Sequence, residues 1–435
     1  MNRIVPIAAF AAVLARTQAV QAQGPPHEPT NNCAGQLDAK GVVRCALATS
    51  PELRQATEQL AAATARRVSA GLWLPSNPFV AATLSQRRRP APDNTKVLNW
   101  SVTLSQTLEV AGQRGLRLNA VEAEVAAQMR RVGLAQQDVA GDVLVAFFDA
   151  IAARESLGFA QELSGIAQAL RSLVKGRASA SVMSGVEADV TLAESIRLAA
   201  KTFEAERRLT ESLANLAIPL GLTPAAVVIP EVLVPPGPVG LDDASAERDA
   251  LLLRGEVAAA QTETKILEAR LAVVRRERMP NPTISAFAER GEIDDRIFGV
   301  GLSVPLPLPA PVGRSRAGEI AEALAQIRAA GSSLELVRRR VRAEVIGALA
   351  VYRSKEAAGA LFDRDLLLRA RRDLASIRES VLINQLPLRQ ALVWQRSLVE
   401  LLEADIEARR DRAVAWVQLH RVTGKLLTTV LGDSL

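Results

Sequence analysis

Residues 104–128 read LSQTLEVAGQRGLRLNAVEAEVAAQ, and residues 302–326 read LSVPLPLPAPVGRSRAGEIAEALAQ. Leu104-Ser105 matches Leu302-Ser303, Glu124 matches Glu322, and Ala127-Gln128 matches Ala325-Gln326, all at a separation of 198. Upstream lie two proline turns, LPSNP (74–78) and MPNP (279–282), with Pro75 and Pro280 separated by 205. The second copy therefore has the shorter hairpin. One structural unit is written twice, and a repeat of this kind decides the architecture before any single element does.

Each unit begins with a helical pattern, over Pro51 to Leu72 and over Ala244 to Arg278, that stops at its proline turn. Strand-like segments follow. Leu98, Trp100, Val102 and Leu104 alternate with Asn99, Ser101, Thr103 and Ser105, a period of two. Phe298, Val300, Leu302 and Val304 alternate with Gly299, Gly301 and Ser303. The segments before them, Phe79–Arg87 and Thr283–Glu289, alternate less well, and RRRPAPDNTK and GEIDD join each pair as a hairpin.

A very long helix follows each hairpin. No proline occurs from Asp93 to Ile218, and Leu118, Val121, Val125, Val132, Val139, Val143, Ala146 and Ala150 step mainly by three, four or seven. Arg114 to Lys175 as one helix would reach roughly 90 Å, a length that coiled coils need and few globular domains do. The sequence GRASASVMSG (176–185) breaks it and returns the chain along Val186 to Leu216; INQLPLRQ (383–390) is the second break. Pro219 to Ser245 holds six prolines and reads as an extended linker. The expected layout is an N-terminal extension over 23–50, a first unit over 51–218, the linker over 219–245, a second unit over 246–425 and a tail over 426–435.

Composition agrees: aromatics are 3% of 435 residues, a make-up of long helices rather than of a mixed enzyme. Residues 1–22 read as a secretory signal, with Arg3, the apolar run Ile4 to Leu14 and Val20-Gln21-Ala22 as a small-x-small cleavage site. The alternative is a membrane anchor, for which that run is short. Cys33 and Cys45 fit either a disulfide in an oxidising compartment or two unpaired thiols. The net charge of +6 is spread along helices with interleaved acids, which excludes a nucleic-acid groove. His27 and His420 are the only histidines and neither has a partner at ligand spacing, so no metal site, cofactor or catalytic constellation is expected.

Four strands of about ten residues suit a tilted membrane crossing, yet four cannot close around a hole, and open edges are not tolerated in lipid. Further copies must complete them. The fold class expected is mainly α with a small β part: a long α-helical coiled-coil barrel plus a transmembrane β-barrel completed by oligomerisation. A soluble periplasmic scaffold with a small sandwich is the competing architecture, favoured by the scarcity of aromatics near the strands: Trp73, Phe79, Trp100, Phe287 and Phe298.

The duplicated order, the LPSNP and MPNP turns and the long helices with a mid-point break resemble the TolC-like outer-membrane efflux factors over roughly residues 45–425. Within that family, LSQTLEVAGQRGLRL (104–118) and GLSVPLPLPAPVGRSRAGEIAEA (301–323) are similar to the cation-efflux branch typified by CzcC. The resemblance implies a homotrimer with a twelve-stranded barrel in the outer-membrane lipid and a twelve-helix periplasmic tunnel. It also implies docking of the helix-turn tips onto a periplasmic adaptor joined to an inner-membrane pump. By position the first tip carries Ser181, Met183, Ser184 and Gly185, and the second Asn384, Gln385, Leu386 and Pro387. Asp189, Arg389 and Gln390 fall at the periplasmic gate, although relatives often place aspartates where Gln390 and Val393 stand, and Asp189 also reads as a helix-start residue. Metal cations or small molecules are the cargo implied; a duct for secreted proteins or drugs and a non-transporting scaffold are the alternatives.

Overall fold

A computed structural model describes Cys33 and residues 35–88, 96–179, 185–290, 295–308, 312, 315–382, 385 and 387–432. The leader over 1–22 and His27 lie outside the described residues.

Two short helices open the chain. In α1 (Ala39–Thr49) the Asp38 carboxylate accepts from the backbone N–H of Gly41 at 2.6 Å. In α2 (Pro51–Ala70) the Ser50 hydroxyl accepts from Leu53 N–H at 3.3 Å, with Pro51 in the first turn, where its missing N–H costs nothing. Then come β1 (Phe79–Arg88), β2 (Lys96–Thr107), α3 (Gln113–Ser179) and α4 (Gly185–Leu220). The second unit runs α5 (Asp243–Leu253), α6 (Gly255–Arg276), β3 (Thr283–Arg290), β4 (Arg296–Ser303), α7 (Ala317–Ala360), α8 (Arg364–Leu382) and α9 (Leu388–Val422), closed by α10 (Leu426–Leu431). At 67 residues, α3 spans about 100 Å.

Several expected boundaries move, each for a physical reason. The helix expected over Ala244 to Arg278 is two helices, because Arg254 leaves the helical region at φ −66°, ψ 125°. Gly255 follows, where an added Cβ would sit 2.5 Å from the Leu134 side chain of α3. The bend lets the second unit turn against α3, and it repeats the bend at Ser50 between α1 and α2, a helix that the extension 23–50 was not expected to hold. The return helix passes Leu216 and Pro219 and ends at Leu220; Gly221, at φ +64°, closes it with Leu222 N–H on the carbonyl of Ala217 at 3.1 Å. An unexpected interruption at 361–363 divides the helix of the second unit into α7 and α8, following Gly359. The C-terminal tail contains α10, whose Leu426, Leu427 and Leu431 are buried.

The strands form one antiparallel sheet in the order β1-β2-β3-β4, so β2 against β3 is where the two units join. Cα partners run Leu84↔Trp100, Val102↔Ala288 and Ala286↔Val300, and β1 and β4 are its edges. The main core sits far from the sheet, where Val143, Leu144, Phe147 and Ile151 of α3 meet α1, α4 and Val417 and Leu419 of α9. Linker residues Val227, Ile229 and Leu233 are buried in the same core, so this proline-rich stretch is a packed strap. A smaller cluster nearer the turns holds Leu163, Leu198, Leu374 and Leu402. Cys33 and Cys45 are joined by a disulfide, Cα to Cα 5.4 Å. No helix among the described residues is long and apolar enough to cross a membrane.

Candidate functional site

The sheet has two unlike faces, and the pairing register sorts every residue onto one or the other. One face carries Val80, Ala82, Leu84, Leu98, Trp100, Val102 and Leu104 from the first hairpin. Ile284, Ala286, Ala288, Phe298, Val300 and Leu302 continue it across the second. The other face carries Thr83, Ser85, Asn99, Ser101, Thr103, Ser105, Thr283, Ser285 and Ser303. The apolar face is open to the surroundings of the single chain: Leu84 is 70% and Val300 84% exposed. A polar ladder beside an uncovered apolar face is the inverse of a soluble sheet packed on a core, and it is the pattern of a barrel wall with lipid outside and water inside.

On the polar face Phe287 lies across Gly299, where an added Cβ would approach its ring carbons to 2.4 Å. The glycines of β4 therefore leave room for an aromatic ring and a hydroxyl, since Gly301 sits against Ser285 Oγ in the same way, 2.6 Å from its built Cβ. Below the sheet, exposed apolar residues continue as a collar of Leu72, Trp73, Val110, Leu306 and Val312. The Arg114 guanidinium stacks 4.2 Å from the Trp73 ring centre, so an aromatic ring and a cation share the boundary between sheet and helices.

Ion pairs brace the helices. Glu155 on α3 accepts from Arg409 on α9 and from the backbone N–H of Leu233 in the strap, at 2.7 and 3.0 Å. Burial works against the Arg409 cation, but the hydrogen bonds it donates to Glu155 and Asp405 outweigh it and raise its pKa. Lys201 of α4 reaches both carboxylate oxygens of Glu403 on α9 at 2.8 Å, tying the two helical hairpins together near their turns. Closer to the sheet, burial raises the Glu124 carboxyl, yet Arg270 and Arg66 together bring it below its ordinary value and join α2, α3 and α6.

At the expected tips, Gly185 opens α4 and is exposed, and Gln385, Pro387 and Gln390 are exposed where the second turn enters α9. Asp189 is exposed on α4 beyond its first turn, past the N–H groups that a helix-start residue serves. Arg389 belongs to the first turn of α9. Ser181, Met183, Ser184, Asn384 and Leu386 lie outside the described residues. A buried polar layer just above the turns, Thr191 and Ser195 of α4 and Gln395 of α9, was not expected. Its sequence signal is weak, because polar residues at helical spacing read as solvated faces. His420 is buried, its Nδ1 2.9 Å from the carbonyl oxygen of Trp416, and among the described residues no group of three His, Cys, Asp or Glu is placed to hold a metal.

No protein-family model matches the chain. It is 28% identical over 361 residues to Protein CyaE of Bordetella pertussis, covering 78% of this chain and 74% of that one. It is 26% identical over 351 residues to the nickel-cobalt-cadmium resistance protein NccC of Alcaligenes xylosoxydans, covering 77% and 72% of the two. Its fold matches that of CusC, a structure described in terms of transmembrane channel formation, with a TM-score of 0.70 at 16% identity over 92% of this chain and 98% of that one.

Proposed function

We propose that this chain is a member of the TolC-like outer-membrane efflux factors, and that three copies close their sheets into one barrel that opens into a helical tube, the outer-membrane duct of an export pump. The observation that carries this reading is the sheet. Among the described residues its two edges, β1 and β4, find no strand partner, and one face is apolar and uncovered along most of its length. Hydrocarbon covers such a face but cannot satisfy an open edge, so edge must meet edge of another copy. Three copies supply twelve strands, enough to enclose a water-filled passage.

Conduction in this reading is passive. The ladder of Ser, Thr and Asn side chains offers donors and acceptors to water and to hydrated cargo, with no strong site to trap either. The driving force comes from an inner-membrane pump through a periplasmic adaptor that docks on the tips, at Ser181, Met183, Ser184 and Gly185 and at Asn384, Gln385, Leu386 and Pro387. Asp189, Arg389 and Gln390 stand at the closed end as gate residues. Gln390 and Val393 replace a carboxylate ring by neutral groups there, so selection of cargo falls to the pump. Metal cations are the cargo favoured, on the strength of the resistance protein NccC among the relatives.

The test begins with the full precursor expressed in a Gram-negative host. A detergent-solubilised trimer in the outer-membrane fraction supports the duct, and a soluble periplasmic monomer overturns it. Cargo is read separately, as nickel, cobalt and cadmium tolerance of a host lacking its own duct and supplied with the matching pump and adaptor. Bulky acidic replacements at both tips are expected to abolish that tolerance while the trimer still assembles.

A further inference from the structure

The apolar face of the sheet does not stay apolar to its hairpin end. The last pair of the first hairpin is Arg88 opposite Lys96, and the last pair of the second is Arg290 opposite Arg296. Register puts all four on the face of Leu84, Trp100 and Phe298, and not on the Ser/Thr face. Among the described residues that face carries no carboxylate. Glu289 belongs to the opposite face, and Asp295 precedes β4. Arg88, Lys96 and Arg296 are exposed. The helix end of the same face, at Val80, Leu104, Ile284 and Leu302, holds no ionised group. The charge is therefore confined to one rim.

Like charges directly opposite across two strands repel. The Arg88–Lys96 pair, with Arg296 at the same level of β4, makes sense on a face otherwise built for hydrocarbon where an anion lies against it in the bound state. Lys96 stands four residues beyond Trp100 on β2, roughly 13 Å along the strand. At a tilt of about 45° that becomes roughly 9 Å along the membrane normal, comparable to the depth of a headgroup layer. We propose that Arg88, Lys96 and Arg296 form a cationic rim that binds the phosphate groups of anionic lipid in the leaflet facing the hairpin ends. The proposal rests on the membrane-spanning reading of the sheet. It adds an orientation: the charged rim marks the leaflet richer in phosphate, and the collar around Trp73 marks the other boundary.

The experiment uses the full-length trimer in nanodiscs of phosphatidylcholine with and without phosphatidylglycerol, with retained lipid counted by native mass spectrometry. Wild type is expected to enrich phosphatidylglycerol, and Arg88→Gln with Lys96→Gln and Arg296→Gln to lose about fivefold in enrichment per cation removed, the effect fading at high salt. The charge-keeping set Arg88→Lys, Lys96→Arg and Arg296→Lys is expected to retain it, which separates lost charge from a damaged barrel. Enrichment unchanged in the Gln set overturns the rim. So does full protection of the trimer by inorganic phosphate in phosphatidylcholine alone, which would mark a free-anion site. Failure to enter either bilayer sinks the membrane reading itself, whereas insertion without lipid preference sinks only the rim.

Discussion

Two guanidinium nitrogens of Arg409 donate to the two carboxylate oxygens of Glu155, at 2.9 and 2.7 Å, joining α9 to α3 across 254 residues of sequence. The same Arg409 donates to the carbonyl of Leu233 at 2.9 Å, and Leu233 N–H returns a bond to Glu155 at 3.0 Å. The proline-rich strap is thereby held between the two repeats. With side chains only 8% and 20% exposed, the pair leaves a poorly solvated partner behind when either is removed. Glu155→Gln is expected to destabilise the protein by about 3 kcal/mol. The double variant with Arg409→Gln should lose less than the sum of the two single losses, since the Arg409–Glu155 coupling is then counted once, although Asp405 also loses its partner in Arg409. Thermal unfolding in detergent of the two single variants and the double completes the cycle; strictly additive losses would count against a direct coupling.

The two faces of the sheet make opposite predictions for one kind of substitution. Val300→Arg places a charge on the apolar face and is expected to cost about 2–4 kcal/mol near the bilayer midplane. Thr103→Arg places it on the polar face, where water solvates it, and should leave the amount of protein in the outer membrane near wild type. Fractionation of cells expressing each variant reads the contrast directly. Equal losses from both would mean that the sheet does not divide lipid from water.

Most of this architecture was legible because its signals are periodic or duplicated. The 198-residue offset between Leu104 and Leu302 announced the two units, and the alternation from Leu98 to Leu104 announced the face of β2. The bend at Arg254 was not legible, because it goes with the close packing of Gly255 against Leu134, between segments far apart in sequence. The packed strap was missed for a related reason. Prolines mark departure from helix, and they say nothing of whether Val227, Ile229 and Leu233 between them will be buried. The helix breaks before Gly185 and beside Pro387 were legible, while the polar layer of Thr191, Ser195 and Gln395 depends on how α4 faces α9.

Gly299 is required by its neighbour. A Cβ there would lie 2.4 Å from the far end of the Phe287 ring, and because β3 and β4 cannot separate without breaking their ladder, that ring must swing out of its place. Gly299→Val is expected to reduce trimer yield sharply, by an overpacking cost of about 1–3 kcal/mol in each copy. Adding Phe287→Ala removes the obstructing ring and should restore assembly, although the wall then loses that ring's packing. The yield of detergent-stable trimer for the single and double variants checks the argument, and a double variant no better than the single one would refute it.

His420 gives the protein a pH dependence whose sign follows from its burial. The ring is 6% exposed, tilted 33° against Trp416 with ring centres 4.1 Å apart, and close to Lys425, which is itself tied to Asp249. Burial is the larger cause and Lys425 a lesser one in lowering its pKa below the ordinary value of 6.5, against the opposing hydrogen bond to Trp416. The unfolded chain therefore binds a proton at a higher pH than the folded chain does. Between those two values unfolding takes up a proton, so stability rises with pH. The contribution is fully present above about 6.5 and is lost as pH falls through the lower folded value. Glu204, held by Arg207 and Arg208 and lowered to about 2, adds little slope in that window. Unfolding midpoints measured from pH 7.5 down to 5 should fall in wild type and flatten in His420→Gln, which cannot take up the proton. A wild-type midpoint that stays level across this range would show that His420 is solvated when the protein is folded.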